Sequence, residues 1–124
     1  MKIVINDRRK IYAVQEEFQA MFPYLKLEFF AKAPKEGGTP STKIIKSDSK
    51  ALGECRTNHT SGVLTITPQM TVADLEEHLE DKYGLVVQVF RQSGSAWLET
   101  TVTDKWSLDK QNKEGEELSK HFKV

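Results

Sequence analysis

The chain has 124 residues, and its 18 Lys and Arg balance 18 Asp and Glu, so it carries no formal net charge. With 38% hydrophobic and 29% charged residues, it has the composition of one globular domain that buries a core without disulfides or metal. Zero net charge argues against a polyanion binder held by bulk electrostatics, and the single cysteine, Cys55, excludes an intrachain disulfide. No run approaches the roughly 20 apolar residues that span a bilayer, and no signal-peptide core or lipidation motif is present. A reducing cytoplasm without membrane attachment is the expected setting, which makes the sequon at Asn58-His59-Thr60 a chance match.

Lys2-Ile3-Val4-Ile5 reads as a short strand. From about Arg8 to Phe22 the spacing of Ile11, Val14, Phe18 and Met21 or Phe22 predicts a helix, capped by Asn6 or Asp7 and stopped by Pro23. Leu25 to Lys32 alternates at period two, as a half-buried strand does. Pro34 to Gly62 is irregular, with a turn-rich stretch from Glu36 to Thr42 and a short helix through Ala51, Leu52 and Cys55 that Ser47 or Asp48 could cap.

Val63 to Thr67 is a strand ended by Pro68, followed by the clearest helix signal in the chain. Thr71 is its N-cap, with Asp74 three residues on, and Met70 and Leu75 occupy the staple positions. Val72, Leu75 and Leu79 form the buried stripe, while Glu76, Glu77, Glu80 and Asp81 form a solvated acidic face. Gly84 closes the helix, with Leu85 placed for a Schellman contact. Leu85–Arg91 and Ala96–Val102 read as a hairpin turning at Ser93-Gly94, which sets Phe90 opposite Trp97, Gln88 opposite Glu99 and Val86 opposite Thr101. Beyond Lys105 the residues are polar except for Trp106, Leu108, Leu118 and Phe122. At most a helical turn is expected at 107–112, since Gly115 interrupts the pattern.

This order implies a ferredoxin-like βαββαβ sandwich with an extra C-terminal hairpin strand, helices on one face of a mainly antiparallel sheet. Residues 1–104 form the domain and 105–124 a polar tail; a β-grasp-like strand order is the alternative. Strand parity assigns Ile3, Ile5, Leu25, Leu27, Phe29, Leu64, Ile66, Val87, Val89 and Leu98 to the core. The opposite face receives Lys26, Glu28, Phe30, Val86, Gln88, Phe90, Trp97, Glu99 and Thr101, together with Val4, Val63 and Thr65. Two neighbouring large aromatics on an open sheet face are an association liability, so something is expected to cover them: the 34–62 loop or the tail, a second copy, or a partner.

Several short motifs fail on their own chemistry. Ser47-Asp48-Ser49-Lys50 has the S-x-x-K spacing of serine acyl-transferases, but the S-D-N and K-T-G elements are missing. Gly37-Gly38-Thr39-Pro40-Ser41-Thr42-Lys43 has the wrong order for a phosphate loop. Cys55, His59, His78 and His121 lack paired metal-ligand spacing, and a Cys55–His59 nucleophile pair has only helical spacing to support it. Residues 1–60 carry 11 basic and 7 acidic side chains, and residues 61–124 carry 7 and 11, a dipolar layout suited to association.

The stretch from Leu64 to Leu75, with Gly84 to Gly94 and Trp97 to Thr101, resembles small uncharacterised bacterial α/β proteins over the C-terminal half of the chain. The resemblance implies no activity and assigns no site. The expected function is therefore a non-catalytic protein-interaction module, acting as a homodimer or with a protein partner. Phe90 and Trp97 would be its anchors, and Gln88 and Arg91 would supply polar definition. No cofactor or metal is expected. One alternative is a small-ligand pocket under the 34–62 loop lined by Cys55, His59 and Arg91. The other is single-stranded nucleic-acid binding through the same rings, for which the RNP1 pattern is absent.

Overall fold

The computed structural model describes residues 1–32 and 42–121. In chain order it contains β1 (Lys2–Ile5), α1 (Ile11–Met21), β2 (Leu25–Lys32), β3 (Thr42–Ile44), a 3-10 turn (Leu52–Glu54), β4 (Gly62–Thr65), α2 (Val72–Tyr83), β5 (Val86–Ser93), β6 (Ala96–Glu99) and α3 (Leu108–His121). The architecture is mixed α+β, with three helices and antiparallel strands in two sheets, a β1-β4 ribbon and a four-stranded sheet ordered β3-β2-β5-β6.

This pairing corrects the expected single ferredoxin-like sheet. β1 lies antiparallel to β4, with Ile3 opposite Leu64, and the Met1 and Ile66 backbones bond to each other just beyond the ribbon. β2 lies antiparallel to β5 over the registers Leu25–Arg91 to Phe30–Val86. Each half of the chain thus contributes one strand to each of these two pairings, while β2–β3 and β5–β6 pair within a half.

The core follows the parity of the strands: Ile3, Ile5, Leu25, Leu27, Phe29, Leu64, Ile66, Val87 and Val89 are buried beneath Ile11, Val14 and Phe18 of α1 and Val72, Leu75 and Leu79 of α2. Leu98 is the exception at 44% exposed. It sits opposite Arg91 on β6, the edge strand of the sheet.

α1 starts later than expected, because Asn6 and Asp7 serve other ends. The Asn6 carboxamide accepts the Arg8 and Arg9 N–H groups, so it closes a turn after β1. The first N–H groups of α1, from Ile11 and Tyr12, donate instead to the Lys50 and Asp48 carbonyls. The 45–57 stretch is therefore strapped across the start of α1, with Leu52 fully buried and the Leu52 and Gly53 N–H groups donating to the Arg9 and Asp7 carbonyls. Asp48 acts here through its carbonyl, not as a side-chain helix cap. The turn-rich stretch and most of the Gly37–Lys43 motif lie outside the described residues, as does Phe122.

α2 ends as its residues predict. The Thr71 hydroxyl accepts the Asp74 N–H, and Gly84 takes the left-handed conformation at φ 65° that Gly adopts without strain. The stretch expected as a polar tail is instead a 14-residue helix, α3, docked by buried Leu108. Gly115 does not interrupt it but permits it: a Cβ there would stand 2.9 Å from Tyr24 Cβ and 3.2 Å from the Tyr24 carbonyl. The Asn112 carboxamide accepts the Tyr24 N–H, and buried Gln111 donates to Thr103 and accepts from Arg91, so α3 is held by polar groups on the helical side of the sheet.

Candidate functional site

Parity through β2, β5 and β6 leaves one face of the four-stranded sheet turned away from the helices. Lys26 pairs with Phe90, Glu28 with Gln88, and Phe30 with Val86 across β2 and β5. Their neighbours Leu25, Leu27, Phe29, Val87 and Val89 are buried on the other side. In β6, Trp97 stands opposite Gln92, and Glu99 opposite Phe90.

The hairpin register is thus displaced from the expected one. The turn is Gly94-Ser95, with Ser93 opposite Ala96. Gly94 carries the positive φ of 62° and Ser95 does not, which is the pattern of a two-residue turn with Gly at its first central position. Moving the loop one residue along shifts every pair by two, so side chains keep their faces while partners change. Trp97 is therefore diagonal to Phe90 and not opposite it. β6 also ends at Glu99, so the expected pairing of Val86 with Thr101 does not form.

The two rings are joined by a residue the sequence reasoning placed on this face without assigning it a role. The Lys26 ammonium lies 4.8 Å from the Trp97 ring centroid and 5.8 Å from that of Phe90, and it pairs with Glu28 at 3.3 Å. Gln88 shares the face, where its amide donates to the Thr101 hydroxyl at 2.9 Å. Phe90 and Trp97 are both half-buried.

Arg91 does not belong to this group, a correction that follows from its odd position in β5. Its side chain turns to the helical side, where it donates to Gln111 at 2.9 Å and its guanidinium lies 5.7 Å from the Trp106 ring centroid. Lys110 approaches the same ring at 4.2 Å. Gln111 and Asn112 carry no apolar signal in the sequence, and their work is done by amide contacts.

Where β6 stops, side chains take over the edge of β5. The Val89 N–H donates to the Glu76 carboxylate at 2.9 Å, and the Val89 carbonyl accepts from the buried Thr100 hydroxyl at 2.8 Å. Glu76 thus leaves the acidic face expected of α2. Burial raises its carboxyl above the usual range, and the Val89 N–H partly offsets this.

A second feature lies at the far end of the open face. A concavity of about 330 Å³ is lined by Phe30, Ile45, Val86, Lys50, Cys55 and Arg56, among others. Of the three residues expected to line such a pocket, only Cys55 does. His59 bonds Asp7 through Nδ1 at 2.9 Å, and Arg91 is on the helical side. Cys55 and His59 form no pair: the thiol donates to the Ala51 carbonyl, and burial pushes it up, opposed by the Lys50 charge.

The Arg56 guanidinium is fully buried and clamps three segments. It donates from Nη2 to Asp7 Oδ1 at 2.8 Å, and from Nη1 to the Thr60 and Tyr83 carbonyls at 2.8 and 3.0 Å. The His59 hydrogen bond, with Arg56 adding to it against the effect of burial, holds the Asp7 carboxyl below its usual value. The clamp is not legible in the sequence, since Asp7 and Tyr83 lie 49 and 27 residues from Arg56.

Among the described residues no group of three His, Cys, Asp or Glu side chains is placed to hold a metal ion, and no helix is long and apolar enough to cross a membrane. Comparison of the chain with protein-family models, curated proteins and solved structures finds no match.

Proposed function

We propose that this chain is a non-catalytic protein-interaction module that works through the open face of its four-stranded sheet and associates with itself, in a reducing cytoplasm. One observation carries the proposal: Phe90 and Trp97, on the side away from the helices, share the ammonium of Lys26 between them. Aromatic rings dominate the energetics of docking surfaces, and a ring already ordered by a neighbouring cation loses little freedom on contact. Gln88, Glu28 and Glu99 give the rings a polar border. The same border disfavours single-stranded nucleic acid, because Glu28 and Glu99 set two carboxylates beside the rings against the one ammonium of Lys26.

The test is sedimentation of the wild-type chain and Trp97→Ala over a wide concentration range. The wild type is expected to sediment above monomer mass, and the variant to need a concentration at least tenfold higher. Wild-type and variant chains that stay monomeric throughout refute self-association through this face.

The concavity beside Cys55 favours a second reading, a small-ligand site, because its volume reaches the lower end of the ligand-pocket range and apolar Phe30, Ile45 and Val86 form much of its wall. Protection of Cys55 from iodoacetamide by a bound small molecule would support that reading. A thiol reacting at one rate with every compound offered would remove it.

A further inference from the structure

We infer that the chain forms a twofold dimer by antiparallel pairing of β6 with β6 of a second copy. This rests on the proposed self-association and places its contact at the β6 edge that borders the open face, where Trp97 stands. The direction of the backbone groups comes first. The Gln92 N–H donates toward β2, to the Tyr24 carbonyl, whereas both backbone groups of Val89 point to the β6 side, toward Glu76 and Thr100. In an antiparallel ladder this alternation continues, so Arg91 and Ser93 bond to Leu98 and Ala96. The N–H and C=O groups of Trp97 and Glu99 then point out of the sheet. Among the described residues no backbone or side-chain group bonds to them.

The contrast with β5 is informative. Where β6 fails to cover Val89, the fold supplies a carboxylate and a hydroxyl; along β6 itself it supplies nothing. Edges are usually blunted by Lys, Pro or a bulge. β6 reads Ala96-Trp97-Leu98-Glu99, regularly paired to β5, with Leu98 44% exposed on one side and Trp97 half-buried on the other.

A second copy suits this edge because antiparallel pairing about a twofold axis is self-complementary. Residues directly opposite one another share a face, so an axis at Leu98 sets Leu98 against Leu98 of the second copy and Trp97 against Glu99 of the second copy. That register uses the outward groups of both Trp97 and Glu99 and covers the exposed leucine. It also brings the carboxylate of Glu99 of the second copy to the indole that carries the Lys26 ammonium at 4.8 Å. Opposite charges meet twice, once on each side of the axis. The two four-stranded sheets become one, and the two Phe90–Lys26–Trp97 groups share a single open face.

The test uses the full chain carrying Leu98→Cys, with Val102→Cys as control, since Val102 is 98% exposed and lies off the strand. Opposed residues in a non-hydrogen-bonded pair have Cα atoms about 4.5 Å apart, within disulfide reach. Mild oxidation is expected to link Leu98→Cys into a dimer at least tenfold faster than the control, with peptide mapping showing the 98–98 bond. Charge reversal supplies a second arm: Lys26→Glu and Glu99→Lys should each raise the sedimentation dissociation constant, and the double variant should restore it. If the wild type self-associates and Trp97→Ala weakens it, but Leu98→Cys links no faster than Val102→Cys, edge pairing is wrong while the interaction face stands. A wild type that stays monomeric, with no preferential linkage, overturns both.

Discussion

Replacing Glu76 separates two effects that act on one carboxylate. Glu76→Ala removes the only acceptor that bonds the Val89 N–H among the described residues, on a residue with no exposed surface. A buried donor left without a partner costs about 1–3 kcal/mol, and the better helix propensity of alanine returns only a few tenths of this. A net loss of about 1–2 kcal/mol follows, a fall in Tm of about 5 °C for a domain of this size. Glu76→Gln retains an oxygen for Val89 and removes the buried charge, so it should match or exceed the wild type at neutral pH. The pH dependence has a definite sign. Burial raises the folded carboxyl above its ordinary 4.5, so the folded chain holds its proton where the unfolded chain has released it. Wild-type stability relative to Glu76→Gln must therefore fall as pH rises from that value through the folded pKa. Urea melts from pH 4 to 8, with exchange of the Val89 amide as the local readout, measure both effects. Equal stability of the Ala and Gln variants across that range, with Val89 protection unchanged, would refute the role assigned to the carboxylate.

Arg56→Met should cost about 3 kcal/mol in urea melts, because the Thr60 and Tyr83 carbonyls lose a charged donor; a loss below about 1 kcal/mol would show that these segments hold without the clamp. Asp7, depressed below 3.8, contributes stability above its unfolded value and loses it as pH falls through the folded pKa, so His59→Gln should move its carboxyl titration, followed by NMR, to higher pH. Gly115→Ala should lower stability by about 1–3 kcal/mol despite the helical preference for alanine, since its Cβ would meet the Tyr24 backbone and the Arg91 stem; a raised Tm would mean that α3 does not approach β2 so closely.

Local signals in the sequence were reliable where local chemistry decides. The α2 cap at Thr71, its end at Gly84 and the buried strand positions all depend on residues a few places apart. What escaped depends on distant partners. Asn6 and Asp7 look like helix caps until Arg56 and a backbone turn claim them. Gly115 looks like a helix breaker until Tyr24 is beside it. Of the expected site, Phe90, Trp97 and Gln88 share a face because parity survives a two-residue register shift. Arg91 was lost from it because odd positions of β5 face the helices, and Lys26 joins it from a strand more than sixty residues earlier.

The interleaving of the two halves has a consequence for synthesis. Leu25 and Leu27 cannot find their β5 partners until Arg91 and Val89 have been made, β3 reaches only the far end of β2, and β1 waits in the same way for β4. During translation the first half holds only the short β2–β3 pairing and leaves most of its greasy strand without a sheet partner, a natural client for holding chaperones. Once the second half emerges, both sheets can close in one event, so fragments cut near the middle should be unable to fold alone yet able to reassemble when mixed.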